Sequence, residues 1–141
     1  MSVLVDTPVW SLALRRRRAD LNEHEVALVT SLADLVRTRR AQMLGAVRQE
    51  LLSGIREEAQ FRRILAELRA FPDTNLLVDD YEEAARMCNS CRQQGIAGSP
   101  IDFLLCSVAF RNQWSIFTTD RDFDRYCRVL DVKLFVAQGI T

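Results

Sequence analysis

Apolar runs of three to five residues, separated by longer segments with helical periodicity, recur along the whole chain and restrict it to one broad architecture. Val3 to Val5, Ala41 to Leu44, Leu76 to Val78, Trp114 to Thr118 and Lys133 to Val136 form five candidate strands. The intervening segments read as amphipathic helices. Val9, Trp10, Leu12 and Leu14 lie on the first, and Val26, Val29, Ala33 and Val36 on a second that reaches about Arg40. Phe61, Ile64, Leu65 and Leu68 follow the i, i+3, i+4, i+7 pattern, as do Tyr81, Ala84, Ala85 and Cys88. Ile101, Leu104, Leu105, Val108 and Ala109 make a further stripe. Strands alternating with helices need crossover connections, which implies parallel βαβ units with both sheet faces covered.

Local punctuation supports these boundaries. Thr7 can cap a helix with Pro8 at its first position, where the missing N–H costs nothing. Asn22 with Glu25 three residues on resembles a capping box, and Ser99-Pro100 is a strong helix start. Gly54 stops the helix that carries Glu50, Pro72 ends the one before the third strand, and Asp79 or Asp80 can cap the next.

The 141 residues fit one domain spanning 1–141, since no Pro, Gly or Ser-rich linker or internal repeat divides them. Nineteen basic and nineteen acidic side chains cancel, so any charge signal for a partner must be local. The opening MSVLVDTPVW lacks the basic start of a signal peptide, and no apolar run approaches a bilayer span. A cytoplasmic protein with no membrane contact is therefore expected. Its four cysteines, Cys88, Cys91, Cys106 and Cys127, are then reduced, and Cys88-x-x-Cys91 without a second pair or a suitable histidine reads as core packing.

Four acids, Asp6, Glu50, Asp102 and Asp120, stand where apolar segments meet helices. In parallel sheets ligands bind beyond the carboxyl ends of the strands, and Asp6 and Asp120 follow the first and fourth strands. Glu50 and Asp102 reach the same edge if the first turns of their helices lie there. Ionised carboxylates about 4 Å apart repel by roughly 4 kcal/mol at an effective dielectric near 20, so such a cluster calls for protons or a metal. Mg²⁺ and Mn²⁺ favour hard oxygen donors and are commonly completed by phosphate oxygens, which suggests phosphoryl chemistry without a catalytic His or Cys.

LVDTPVW at the start, VRQELLSGI around Glu50, GSPIDFLLCSVA around Asp102 and IFTTDRDF around Asp120 together resemble a PIN domain, specifically the VapC-type toxin ribonucleases of bacterial toxin–antitoxin pairs. The likeness runs almost from end to end. It implies a PIN-like three-layer α/β/α fold with a five-stranded parallel sheet flanked by helices. It also implies an endoribonuclease using one or two Mg²⁺ or Mn²⁺ ions, and inhibition by a VapB-type antitoxin within a homodimeric assembly. Carried over by position, Asp6, Glu50, Asp102 and Asp120 are the catalytic metal ligands. Asp122 is an additional acid for a second ion or its water shell, and Thr118 is an auxiliary polar residue that orients a ligand or the attacking water.

Each residue also has a simpler use. Asp6 can cap the first helix, Asp102 can serve a capping-box variant with Ser99, Asp120 and Asp122 can be turn residues, and most helical Glu face solvent. Four independent caps have no reason to reproduce one family's pattern. A receiver-like or haloacid-dehalogenase-like phosphotransfer site would need a second acid near Asp6, where this chain has Pro8. A catalytically silent RNA-binding PIN module is the remaining alternative. Arg15 to Arg18 with Arg37, Arg39 and Arg40 could guide an RNA backbone, although a solvated charge run is the simpler reading. The apolar face of the first two helices is a candidate dimer interface.

Overall fold

The computed structural model describes residues 1–139 and places a parallel sheet among seven α-helices. Strand β1 (Val3–Val5) leads into α1 (Thr7–Leu14), a 3-10 turn at Arg18–Asp20, α2 (Glu23–Arg37) and β2 (Ala41–Gln42). Helices α3 (Gly45–Leu52), α4 (Glu58–Leu68), α5 (Val78–Gln93) and α6 (Pro100–Asn112) then precede β3 (Ser115–Phe117), α7 (Asp122–Tyr126) and β4 (Lys133–Leu134). The strand order is β2-β1-β3-β4, with every pair parallel. Val3, Leu4, Val5, Ile116 and Phe117 are all buried, as the central strands of a sheet covered on both faces must be.

The sheet has four strands among the described residues, not five. Leu76 and Leu77 lie outside any strand and Val78 begins α5. The reason is local. The Asp80 carboxylate accepts the Leu77 N–H at 2.8 Å, starting the helix early, and Val78 is 74% exposed, so the apolar triplet has no sheet to join. Among the described residues the only pairing beyond β2 is an isolated parallel bridge between Met43 and Asp73.

Two helix faces are rotated from expectation. In α2 the buried side chains are Leu28, Ser31, Leu32 and Leu35, with Ala33 exposed, and the helix ends at Arg37 before a left-handed Arg39. In α5 they are Asp80, Ala84, Met87 and Cys91, while Tyr81 is exposed. An acid lies on the buried face because Arg111 of α6 meets it at 2.6 Å, a pairing that an apolar pattern cannot register. Helix α6 runs through the centre, with Phe103 to Ala109 all buried. The Asn22–Glu25 capping box forms in both directions, at 2.8 and 3.1 Å.

This topology fixes where a site can lie. From β1 the chain crosses to β2 on one side and later returns to β3 on the other, so the carboxyl ends of β1 and β3 flank the topological switch point. The Asp6 N–H donates to the Phe117 carbonyl at 2.9 Å, tying the two strand ends together there.

Candidate active site

Asp6 is the N-cap of α1, with Thr7 the first helical residue, so Thr7 is not the cap. The exchange frees the Thr7 hydroxyl, which donates to Glu50 Oε1 at 2.6 Å. Asp6 caps and does more than cap. Its Oδ1 accepts the Thr7 N–H at 2.8 Å, and its Oδ2 accepts the Thr118 hydroxyl from the end of β3 at 2.8 Å. The same Thr118 oxygen accepts the Asp120 N–H at 3.0 Å. One hydroxyl thus joins the acids that follow β1 and β3.

Asp102 stands in the first turn of α6, where the Ser99 hydroxyl accepts its N–H at 3.1 Å. Its Oδ2 accepts the Tyr126 hydroxyl at 2.6 Å. Asp120 Oδ1 accepts the Asp122 N–H at 2.9 Å, a turn that opens α7. Asp102, Asp120 and Asp122 each offer a carboxylate oxygen, and these oxygens lie within 4.8 Å of one another. Asp122 also pairs with Arg125 at 2.7 Å.

The structure therefore gathers Asp102, Asp120 and Asp122 tightly, with Asp6 linked through Thr118 and Glu50 held at the rim by Thr7. Glu50 does not come from the first turn of its helix. It is the sixth residue of eight in α3, exposed, and arrives near Asp6 because α3 packs against α1.

The electrostatics record the crowding. Burial pushes Asp6 up to about 6, the hydrogen bonds from Thr118 and Thr7 partly oppose this, and the charges of Asp102 and Glu50 add to it. Asp102 is also raised, by burial first and by Asp120, against hydrogen bonds from Tyr126 and Ser99. Burial and the bond to Asp102 hold Tyr126 well above its ordinary range, so it remains a hydroxyl donor. A divalent cation fits this donor set. The oxygens are hard and closely spaced, and a buried carboxyl that resists ionisation needs the positive charge that an ion brings.

Thiols take no part. Cys91 and Cys106 are fully buried, and burial raises the pKa of both, as it does for Cys127. Cys91 and Cys106 are core-packing residues and Cys127 is half-buried; within the C-x-x-C, where packing was expected, Cys91 rather than Cys88 is the buried member.

A family model for the PIN domain matches residues 3–129. The chain belongs to the PIN domain family. No curated protein sequence matches it significantly. Among solved structures, this PIN domain is similar to FitAcB from Neisseria gonorrhoeae, at 19% identity and a TM-score of 0.75, covering 98% of this chain and 99% of that one. VapBC2 from Rickettsia felis, bound to a DNA fragment from its promoter, matches at 16% identity and a TM-score of 0.71, covering 96% and 98%. A toxin–antitoxin complex from Klebsiella pneumoniae matches at 17% identity and a TM-score of 0.63, covering 86% and 90%.

Tyr126, Thr7 and Ser99 are the site-supporting residues that the sequence reading did not assign there. Thr7 and Ser99 stood in it only as helix caps. Tyr126 carried no sequence signal for the site.

Proposed function

We propose that this PIN domain is a Mg²⁺- or Mn²⁺-dependent endoribonuclease of the VapC type, the toxin of a toxin–antitoxin pair. The observation that carries the reading is the convergence of Asp6, Glu50, Asp102, Asp120 and Asp122 on the switch point between β1 and β3. The toxin–antitoxin assemblies named among its structural neighbours support the biological role.

Asp6, Asp102, Asp120 and Asp122 would hold one or two ions, with Glu50 contributing directly or through water. Bound there, an ion supplies Lewis-acid charge to a phosphodiester and lowers the pKa of a water at neutral pH. The protein's own part is positioning. Thr118 fixes the Asp6 carboxylate against the Asp120 backbone, and Thr7 restrains Glu50. Strand ends, a helix start and, for Glu50, the body of α3 carry these groups, so their spacing does not depend on a long loop.

A VapB-type antitoxin whose peptide covers the acidic edge is the proposed partner. A homodimer is also proposed. Among the described residues no large apolar side chain of α1 or α2 is exposed, because those helices pack on each other and on the core. Leu77, Val78 and Tyr81 at the start of α5 and Phe110 of α6 are exposed instead. Leu12 and Leu14 of α1 and Val26, Val29 and Val36 of α2 are partly exposed, so the α1–α2 face stands as a candidate interface beside that one.

Incubating the purified protein with labelled total RNA, with Mn²⁺ or with excess chelator, tests the function. Cleavage with Mn²⁺ and none with chelator is expected. Full cleavage in chelator would reject the metal dependence, and binding of RNA without cleavage in Mn²⁺ would reject the ribonuclease reading. Thr7→Val should slow cleavage by about tenfold by releasing Glu50, as loss of an outer partner of a ligand commonly does. Turnover at limiting Mn²⁺ measures this.

A further inference from the structure

We infer that Tyr126 is a positioning residue for the acidic site, its hydroxyl holding Asp102 in place, and that Gly98 keeps open the space in which its ring sits. The inference rests on the metal-site reading above and assigns a task to two residues outside the ligand set.

Tyr126 is fully buried. Its ring packs between Phe103 of α6 and Phe123 of α7, with centroids 5.1 Å away in each case. A buried tyrosine hydroxyl needs a partner, and this one finds it in a site acid, Asp102 Oδ2, at 2.6 Å. A carboxylate's terminal torsion is otherwise soft, so a short bond to an immobile ring fixes the plane in which Asp102 presents its oxygens. Tyr126 lies four residues after Asp122 on the same short helix. Helix α7 therefore carries one acid of the tight group together with the group that orients another from α6.

Gly98 supplies an independent observation. A β-carbon at that position would come 2.8 Å from Cζ of Tyr126 and 2.9 Å from Cζ of Phe103, closer than side chains pack. Its φ is not in the left-handed region, so backbone conformation does not demand glycine there. Space for the tyrosine ring does. Any larger residue must shift the ring whose hydroxyl holds Asp102.

Calorimetric Mn²⁺ titration of the full chain, paired with RNA cleavage as a function of Mn²⁺, tests the assignment. Tyr126→Phe keeps the ring and removes only the hydroxyl, and it is expected to weaken Mn²⁺ binding about tenfold, as outer-partner losses at metal sites do. Cleavage should fall at limiting Mn²⁺ and recover at saturating Mn²⁺, whereas Asp102→Asn should not recover. Gly98→Ala should shift the Mn²⁺ midpoint in the same direction. Ile64→Val, a conservative core change in α4, a helix that carries none of the acids, should leave Mn²⁺ affinity unchanged and controls for general loosening.

Wild-type Mn²⁺ affinity in Tyr126→Phe, alongside weakened binding in Asp102→Asn, would overturn the inference and leave the metal reading standing. Weakening by Ile64→Val equal to that by Tyr126→Phe would also overturn it. Absence of Mn²⁺ binding by the wild type would reject both.

Discussion

Asp6→Asn is expected to abolish RNA cleavage and, in chelator at pH 8, to make the protein more stable than wild type. The first effect follows from the proposed metal-site reading, in which Asp6 is a ligand; the second follows from burial. Asp6 is 5% exposed, and its carboxyl is raised from 3.8 to about 6. The native state therefore keeps the proton after the unfolded chain has lost it. Between those two values the native state binds more protons, so stability falls as pH rises, and above about pH 6 the penalty is complete. A rise of roughly two units corresponds to about 3 kcal/mol at most.

Asparagine removes the charge and keeps an acceptor for the Thr7 N–H, so most of that penalty is relieved. Saturating Mg²⁺ should stabilise wild type by roughly 3 kcal/mol at a hundred times its dissociation constant and leave Asp6→Asn unmoved. Metal affinity in wild type should fall as pH drops through about 6, where protons compete for Asp6. Denaturant unfolding at pH 5 and 8, with chelator and with Mg²⁺, separates these outcomes. A variant that cleaves at the wild-type rate, or one less stable than wild type in chelator at pH 8, would sink the account.

The largest stability effect is expected away from the acids, at Arg111. Asp80 is 1% exposed, and Arg111 meets both its oxygens, at 2.6 and 2.9 Å. Burial alone would raise Asp80, but the Arg111 hydrogen bonds, the Leu77 N–H and the Arg111 charge outweigh it and hold the carboxyl below its usual range. A carboxyl lowered by folding contributes stability that is present above its unfolded pKa and lost as pH falls through the folded value. Arg111→Met leaves that carboxylate buried with only the Leu77 N–H, which should cost about 3–5 kcal/mol near neutral pH. The double variant Asp80→Asn with Arg111→Met should recover much of the loss, since no uncompensated charge remains. A fall below about 1 kcal/mol in the single variant would show that water or another group replaces the arginine. Thermal unfolding is the measurement, and the change should shrink at pH 3.

The alternation of apolar runs with helical segments made the parallel α/β class legible, because parallel strands buried on both faces and amphipathic helices have different periods. The capping box at Asn22 and the Ser99-Pro100 start were legible for the same local reason. Leu76 to Val78 misled because an apolar triplet has no signal for whether a neighbouring strand exists. The α5 face misled because burial of Asp80 depends on Arg111, thirty-one residues later.

The motifs named Asp6, Glu50, Asp102, Asp120, Asp122 and Thr118 as candidate site residues, and the residues that hold them in place were only partly named. Local rules placed Asp6 and Asp120 at strand ends and Asp102 in a first turn, since caps and turns act over three or four residues. Only the tertiary structure decided that Thr118 bridges Asp6 and Asp120, that Thr7 restrains Glu50 across forty-three residues, and that Tyr126 holds Asp102. These bonds join elements far apart in the chain, and their distances are set by how helices and strand ends pack. Chain-local chemistry determined which groups stand at the carboxyl edge of the sheet; packing decided which of them touch.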